Sequence, residues 1–308
     1  MATTDPSSAA ARRQLANMAL FLGPATVLLF MFFIAPVVVD VFVAFTDMGR
    51  SLEVTEFTTA NFERMLTNDS RIGPTMAVTF TYVLLTLGIF NVTFGLLLAL
   101  ATTAVPERSG AFFRAIWLLP RMSPSVVYAL LWAWMIGPTD RGLINQVAVG
   151  WLGLEPIDVL SNQPMLLIVL ANGFIGASMG MIIFTSAIRA IPEHLFHAAR
   201  VDGAGPLAVT WHITLPALRW PLSFITVYQT LSLLVSFEYI WLITNGGPFY
   251  DTMVFALYVY KRAFENGQYA YGAALSLILV AIGIAASLFM WRLLDMQRLL
   301  QTPRIEVQ

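Results

Sequence analysis

Six long apolar runs separated by short polar stretches make up most of the chain, near residues 17–45, 75–104, 113–137, 165–187, 221–244 and 270–291. A helix crossing the hydrocarbon core needs about 20 mostly apolar residues, so each run predicts a membrane-spanning helix. The runs are continuous rather than alternating, which excludes a β-barrel. Between the fourth and fifth runs lies a polar island, Ile191 to Pro221, reading IPEHLFHAARVDGAGPLAVTWHITLPALRWP. Pro192 just inside a helix start, a run to Asp202, Gly203 as the stop and a second apolar stretch closed by Pro216 predict a helix, a turn and a helix.

Composition places the whole chain in the bilayer: of 308 residues, 58% are hydrophobic and only 11% charged. The net charge of −1 gives no basic field for nucleic acid. With no cysteine, disulfides, thiolate metal sites, iron–sulfur ligation and cysteine nucleophiles are all excluded. Arg12 and Arg13 precede the first run, which is too long for a secretory signal and is not closed by a small-residue cleavage site. It reads as an uncleaved first helix with positive anchors rather than as a twin-arginine export signal.

Loop charges then set the orientation. Arg12, Arg13, Arg108, Arg114, Arg189, Arg200, Arg219, Arg292, Arg298 and Arg304 fall on one side; Arg50, Arg64, Arg71, Arg141, Lys261 and Arg262 fall on the other. The richer side is the cytosolic one, so both termini, the turn at Glu107 and the 191–221 island are expected in the cytosol. The outer loops 46–74 and 138–164 face an external partner, and neither is long enough to be a substrate-binding domain. The expected organisation is one membrane domain over 17–293, with a loop at 189–220 and cytosolic tails at 1–16 and 294–308.

Inside the spans, Gly23, Pro24, Pro36, Pro120 and Pro124 allow kinks, and Gly173, Gly176 and Gly180 put small residues along one face of the fourth helix. Charges are rarer there and cost a few kcal/mol at the bilayer centre unless they face protein or water. Asp40 and Arg121 are read as reaching the interface by snorkelling. Six helical residues, about 9 Å, separate Glu238 from Asn245 and leave it in the outer part of the membrane. It faces either a cavity or another helix.

Soluble chemistry is missing. No GxxxxGK[ST] loop occurs, so the chain does not hydrolyse nucleotide by that route. His194 and His197 stand three apart, but His212 lies beyond a glycine turn and no acidic cluster completes a metal site. No histidine lies in a span to ligate a transmembrane haem. Glu238, Gln229 and Asn172 are too sparse for a membrane enzyme. An ion-coupled secondary transporter, which also shows six spans and intramembrane polar residues, is the alternative transport reading.

The island carries a resemblance. Glu193 to Pro221, with Ala198-Ala199, Asp202-Gly203-Ala204 and, nine residues on, Ile213-Thr214-Leu215-Pro216, resembles the cytosolic EAA loop of ABC-importer permeases. Phe113-Arg114 with Leu119-Pro120, Leu242 and Thr244 through Pro248, and Tyr258 through Phe264 follow in the order of the carbohydrate-uptake subfamily, especially the larger permease subunit of maltose-type transporters. The resemblance implies an all-α type I importer permease with six membrane helices in the bacterial inner membrane. It implies a second related permease, two ATPase subunits that bind ATP and magnesium, an extracytoplasmic binding protein and a carbohydrate substrate. This chain then needs no cofactor, no metal and no catalytic residue of its own.

The same resemblance makes Glu193, His194, Leu195, Phe196, His197, Ala198, Ala199, Asp202, Gly203 and Ala204 the helix that docks on the ATPase. His197 departs from the family, which has glutamate there, and a histidine changes charge in the physiological pH range where glutamate does not. Aligned without gaps, the positions that hold sugar in maltose-type permeases fall on Asn172, Ile175, Gly176 and Met179, and on Gln229, Ser232, Leu233 and Ser236. Several are amides or hydroxyls suited to sugar hydroxyls, and helix–helix hydrogen bonding is the other use of such residues. Glu238 completes the expected path.

Overall fold

The structure, a computed structural model, describes residues 6–139 and 141–294, with side chains from Asn17 onward. Residues 1–5 and 295–308 of the two expected tails therefore lie outside the described residues. The first helix, α1, already begins at Pro6, runs to Leu29 and continues through a π-wound turn, Phe30–Ile34, and Ala35–Ala44. Helix α2 is Ile72–Ala104, α5 is Pro164–Arg189 and α9 is Tyr269–Leu293. Among the described residues these four are long and apolar enough to cross a membrane unbroken. No strand is present among them, only an isolated bridge between Thr46 and Phe57.

The third and fifth crossings differ from the expected continuous spans. The third is α3, Glu107–Met122, followed by α4, Ser125–Met135. Pro124 has no N–H to donate and forces the residue before it out of the helical region; Ser123 accordingly sits at φ −76, ψ 144. The fifth is α7, Arg219–Leu234, then α8, Glu238–Ile243. Its break at 235–237 contains neither proline nor glycine, so nothing local announces it. Glu238 consequently opens a new helix instead of lying within a continuous one.

Contacts divide the chain into two units. One comprises the chain up to Asn68 with Tyr260–Leu277. In it Ala44, Ala273 and Ala274 form a small buried cluster against Val43, Phe62 and Leu277. Ser276 Oγ donates to Asp40 Oδ2 at 2.6 Å, so Asp40 has a helix partner and need not reach the interface. Arg64 lies 4.0 Å over the Tyr271 ring and donates to Gln268 Oε1 at 3.3 Å.

The other unit comprises Asp69–Val259 and the chain from Ile278. Its centre is α5, with Leu167, Ile168, Ala171, Ala177, Met181 and Phe184 almost wholly buried. The middle of α2, Thr86–Phe94, is wound as a π-helix and faces the glycine side of α5. A Cβ at Gly173 would collide with the Phe90 ring, at Gly176 with the Asn91 amide and at Gly180 with the Asn91 carbonyl oxygen. The three glycines therefore do bring two backbones together, as their spacing predicts. The outer segment 252–258 is as buried as any helix core, with Val254, Phe255 and Leu257 at 1% exposure or less.

Gly176→Val should push α5 away from α2 and cost about 1–3 kcal/mol, the usual penalty of overpacking. Thermal unfolding of the detergent-solubilised protein should show a lower midpoint, and an unchanged midpoint would mean the contact carries no weight.

Candidate functional site

The polar island folds as a helix on a stalk. Ile191 is buried at the end of α5, and Pro192, at φ −59 and ψ 129, turns the chain into α6, Glu193–Val201. Glu193 stands in the first turn and Arg200 in the last, each favoured by the helix dipole. The far end is closed by a Schellman motif: the Ala204 N–H donates to the Ala199 carbonyl at 2.9 Å and the Gly203 N–H to the Arg200 carbonyl at 3.1 Å. Gly203 sits at φ +73, where a side chain is strained. The first half of the island thus forms as its punctuation predicts.

The second half differs. Pro206–Val209, a π-wound Thr210–Thr214 and Leu215–Ala217 follow one another, with Pro216 in the first turn of the last piece rather than at its end. Proline is tolerated in a first helical turn because the missing N–H would be unpaired there anyway. The chain pauses instead at Leu218, fully buried, before α7.

No residue of α6 is buried. Leu195 is 41% exposed, Val201 88%, Leu207 86% and Trp211 70%, an apolar surface unusual for a polar loop. Arg200 Nη2 lies 2.9 Å from His197 Nδ1. A guanidinium can only donate, so Nδ1 accepts, and the other ring nitrogen is left to face outward. Behind α6 opens a cleft of about 1190 Å³ whose charged lining is Glu107, Arg189, Glu193, His197 and Arg200. Glu107 pairs with Arg114 at 2.9 Å and also with Arg189, tying the α2–α3 turn to the end of α5. The charged ends that sequence bias put on one side do meet.

The expected path residues fall into two clusters and an outlier. Asn172 Nδ2 donates to Tyr82 Oη and, at 3.1 Å, to Ser236 Oγ, so α5, α2 and the break between α7 and α8 share one knot. Gln229 Nε2 donates to the Gly176 carbonyl at 3.1 Å. The room left by Gly176 is taken by Asn91, fully buried with no hydrogen-bond partner for its amide among the described residues. Ile175 and Met179 are half-buried, Leu233 is buried and Ser232 is exposed. Glu238, exposed, accepts from Ser125 Oγ at 2.5 Å.

Sequence reasoning missed Tyr82 and Asn91 on α2 and Ser125 at the start of α4. The signal was available: they are polar groups inside apolar runs, where each needs a partner.

The family model for the binding-protein-dependent transport system inner membrane component matches residues 91–295. A probable ABC transporter permease protein of Pyrococcus horikoshii is 32% identical over 277 residues, 87% of this chain and 92% of that protein. The sn-glycerol-3-phosphate transport system permease protein of Agrobacterium fabrum is 30% identical over 77% of this chain and 80% of its own length. The diacetylchitobiose uptake system permease protein of Streptomyces coelicolor is 32% identical over 57% of this chain, and the match spans only 51% of that protein. Among solved structures, a bacterial ABC transporter involved in import of the acidic polysaccharide alginate superposes with a TM-score of 0.81 at 21% identity, over 97% of this chain and 100% of that one. That likeness establishes the fold.

One measurement follows from this geometry. Tyr82→Phe removes one acceptor of the buried Asn172 amide and should lower stability by about 1 kcal/mol, read as a reduced unfolding midpoint.

Proposed function

The chain belongs to the binding-protein-dependent transport system inner membrane components, with the fold of a type I ABC importer permease, and from that premise we propose the subunit's part in the transport cycle. It acts as one of two related permeases that form the path for a sugar or sugar derivative across the inner membrane. An extracytoplasmic binding protein delivers the substrate and two cytosolic ATPase subunits, which bind ATP and magnesium, supply the energy. The names of relatives that carry diacetylchitobiose, glycerol phosphate and multiple sugars support the carbohydrate class.

The single observation that carries the reading is α6: a capped nine-residue helix with no buried residue and with apolar surface, on a chain with no phosphate-binding loop of its own. Its length, about 14 Å, suits a rigid peg seated in a cleft of another protein. Glu193 through Ala204 form that contact. Ala198, Ala199 and Ala204 permit close approach, while Leu195 and Phe196 provide apolar anchors. Closure of the ATPase dimer moves the peg, and α5, continuous from the peg to Asn172, carries the motion to the path. Asn172, Ile175, Gly176, Met179, Gln229, Ser232, Leu233, Ser236 and Glu238 line that path. The knots that hold these residues in the present arrangement are exchanged for sugar hydroxyls when the path opens.

Both termini and the 189–220 loop lie in the cytosol, on the strength of the arginine bias. The membrane domain spans 17–293.

Gly203→Val disrupts the left-handed cap of the peg without touching a span. In proteoliposomes with both permeases and the ATPase, it should leave assembly intact and reduce stimulation of ATP hydrolysis by loaded binding protein at least about tenfold, a loss of about 1.4 kcal/mol of coupling. Uptake that survives both this variant and ATP depletion, and collapses with an ion gradient, would select a secondary transporter instead.

A further inference from the structure

The third and fifth crossings break at the same place. Ser125, the first residue of α4 past one break, donates through Oγ to Glu238, the first residue of α8 past the other. Tyr128 and Tyr239, just beyond, meet edge to face at 5.8 Å, and the Tyr128 hydroxyl donates to the Ala171 carbonyl at 2.7 Å. Arg121, the last residue but one of α3, reaches the same region: its Nη1 lies 3.5 Å from the Ile175 carbonyl, one turn along α5 from Ala171. Ile175 and Tyr239 pack on one apolar cluster with Tyr128.

The depth of this region follows from helix rise. Arg121 lies 14 residues beyond Glu107 along α3, and Ile175 lies 14 residues before Arg189 along α5, about 21 Å in each case. Glu107 and Arg189 are paired, so both helices start from one level. In a hydrocarbon layer about 30 Å thick that begins near that pair, Arg121 sits well inside and cannot reach the cytosolic edge. α7 rises about 24 Å from Arg219 before its own break, which brings Glu238 to a similar depth.

Arg121, Ser123, Pro124 and Glu238 are all exposed on this chain. Non-helical backbone and a guanidinium at that depth do not face lipid; they face water or protein. No ion pair joins Arg121 to Glu238 among the described residues. One fixed positive and one fixed negative charge therefore border the same opening, each with hydrogen-bonding capacity left: a guanidinium carries five donors and a carboxylate accepts at both oxygens.

We infer that the two facing breaks form a charge-balanced constriction of the translocation path, where Arg121 donates to and Glu238 accepts from the hydroxyls of an uncharged glycan. This rests on the importer reading above and names its substrate class. A hydroxyl both donates and accepts, so adjacent hydroxyls satisfy both charges at once. A carboxylated sugar pairs with Arg121 but meets Glu238, and an amino sugar meets the reverse conflict. Arg121 and Glu238 are specificity-determining residues on this account, and Ser125 positions Glu238.

Because the natural chain has no cysteine, a single one reports on this spot. Ser123→Cys in the assembled importer in proteoliposomes is treated with two methanethiosulfonates of similar size, one bearing trimethylammonium and one sulfonate. Labelling is read as a mass increase of this chain, with rates normalised to a free thiol. Labelling should occur in at least one nucleotide state, with the two normalised rates within about threefold. Adding Arg121→Gln should shift the ratio about tenfold toward the cation, and adding Glu238→Gln about tenfold toward the anion. No labelling in the nucleotide-free, ATP-bound or ADP-bound state, meaning a break sealed against lipid or the second permease, overturns the inference; so does a ratio indifferent to both substitutions. Met122→Cys, 79% exposed beside the same break, serves if Ser123→Cys does not assemble. Retained stimulation of ATP hydrolysis with unlabelled cysteine defeats this inference alone, whereas absence of stimulation in the wild type defeats the importer reading.

Discussion

α5 approaches the π-wound middle of α2 so closely that Gly173 and Gly176 leave their space to the Phe90 ring and the Asn91 amide, and Gly180 lies against the Asn91 carbonyl, so α5 can carry no side chain at these three positions. In lipid there is little hydrophobic drive to bring two helices together, so contact of this kind depends on small residues and on the dispersion they allow. Most of what is organised in this unit is referred to that contact. It sets Asn172 against Tyr82, turns the Gly176 carbonyl toward Gln229 and encloses Asn91. It also packs α5, whose far end carries α6, along much of its length.

The bilayer imposes the second constraint. A polar group with no water to bind must find a partner within the protein, and the partners found here join helices. Ser236 reaches Asn172 from the break after α7, Ser125 reaches Glu238 across two broken crossings, and Glu107 bridges two arginines where α2, α3 and α5 meet. These links tie α6 and the buried amides to the same helix. On the proposed importer reading, a displacement of α6 would be transmitted along α5 by repacking of the glycine face. Asn91 is one of four exceptions among the described residues, with Thr86, Trp117 and Thr185: its buried amide has no partner, the kind of unpaired group that a second arrangement of the helices would satisfy.

Of the six expected crossings, three were legible to within three residues at both ends and the first at its far end only, its helix starting at Pro6, because a long apolar run needs only its length to be recognised. The other two were located but not described. Apolar length is indifferent to whether a helix continues, so the Pro124 break was visible only as a proline and the 235–237 break not at all. For Glu238 the helical distance to Asn245 was legible, since α8 covers that stretch, whereas its place at the start of a new helix beside a break was not. Arg121 was assigned to the interface because its crossing was started at residue 113, six residues past the actual start at Glu107. The outer segment 252–258 reads as a loop and is buried as a core, an outcome of packing rather than of pattern.

Local chemistry by itself determined α6. Pro192 can start a helix and Gly203 can stop one whatever surrounds them, so the peg was readable residue by residue. The sequence likewise determined membrane residence, the side on which the arginines gather and the absence of a nucleotide loop. Only the tertiary structure decided what the intramembrane polar residues do. Asn172 and Ser236 are 64 positions apart, Ser125 and Glu238 are 113 apart, and no periodicity relates them. Their meeting follows from which helix faces which, and that is fixed by the shapes of whole surfaces, above all by three glycines that leave room for a neighbour.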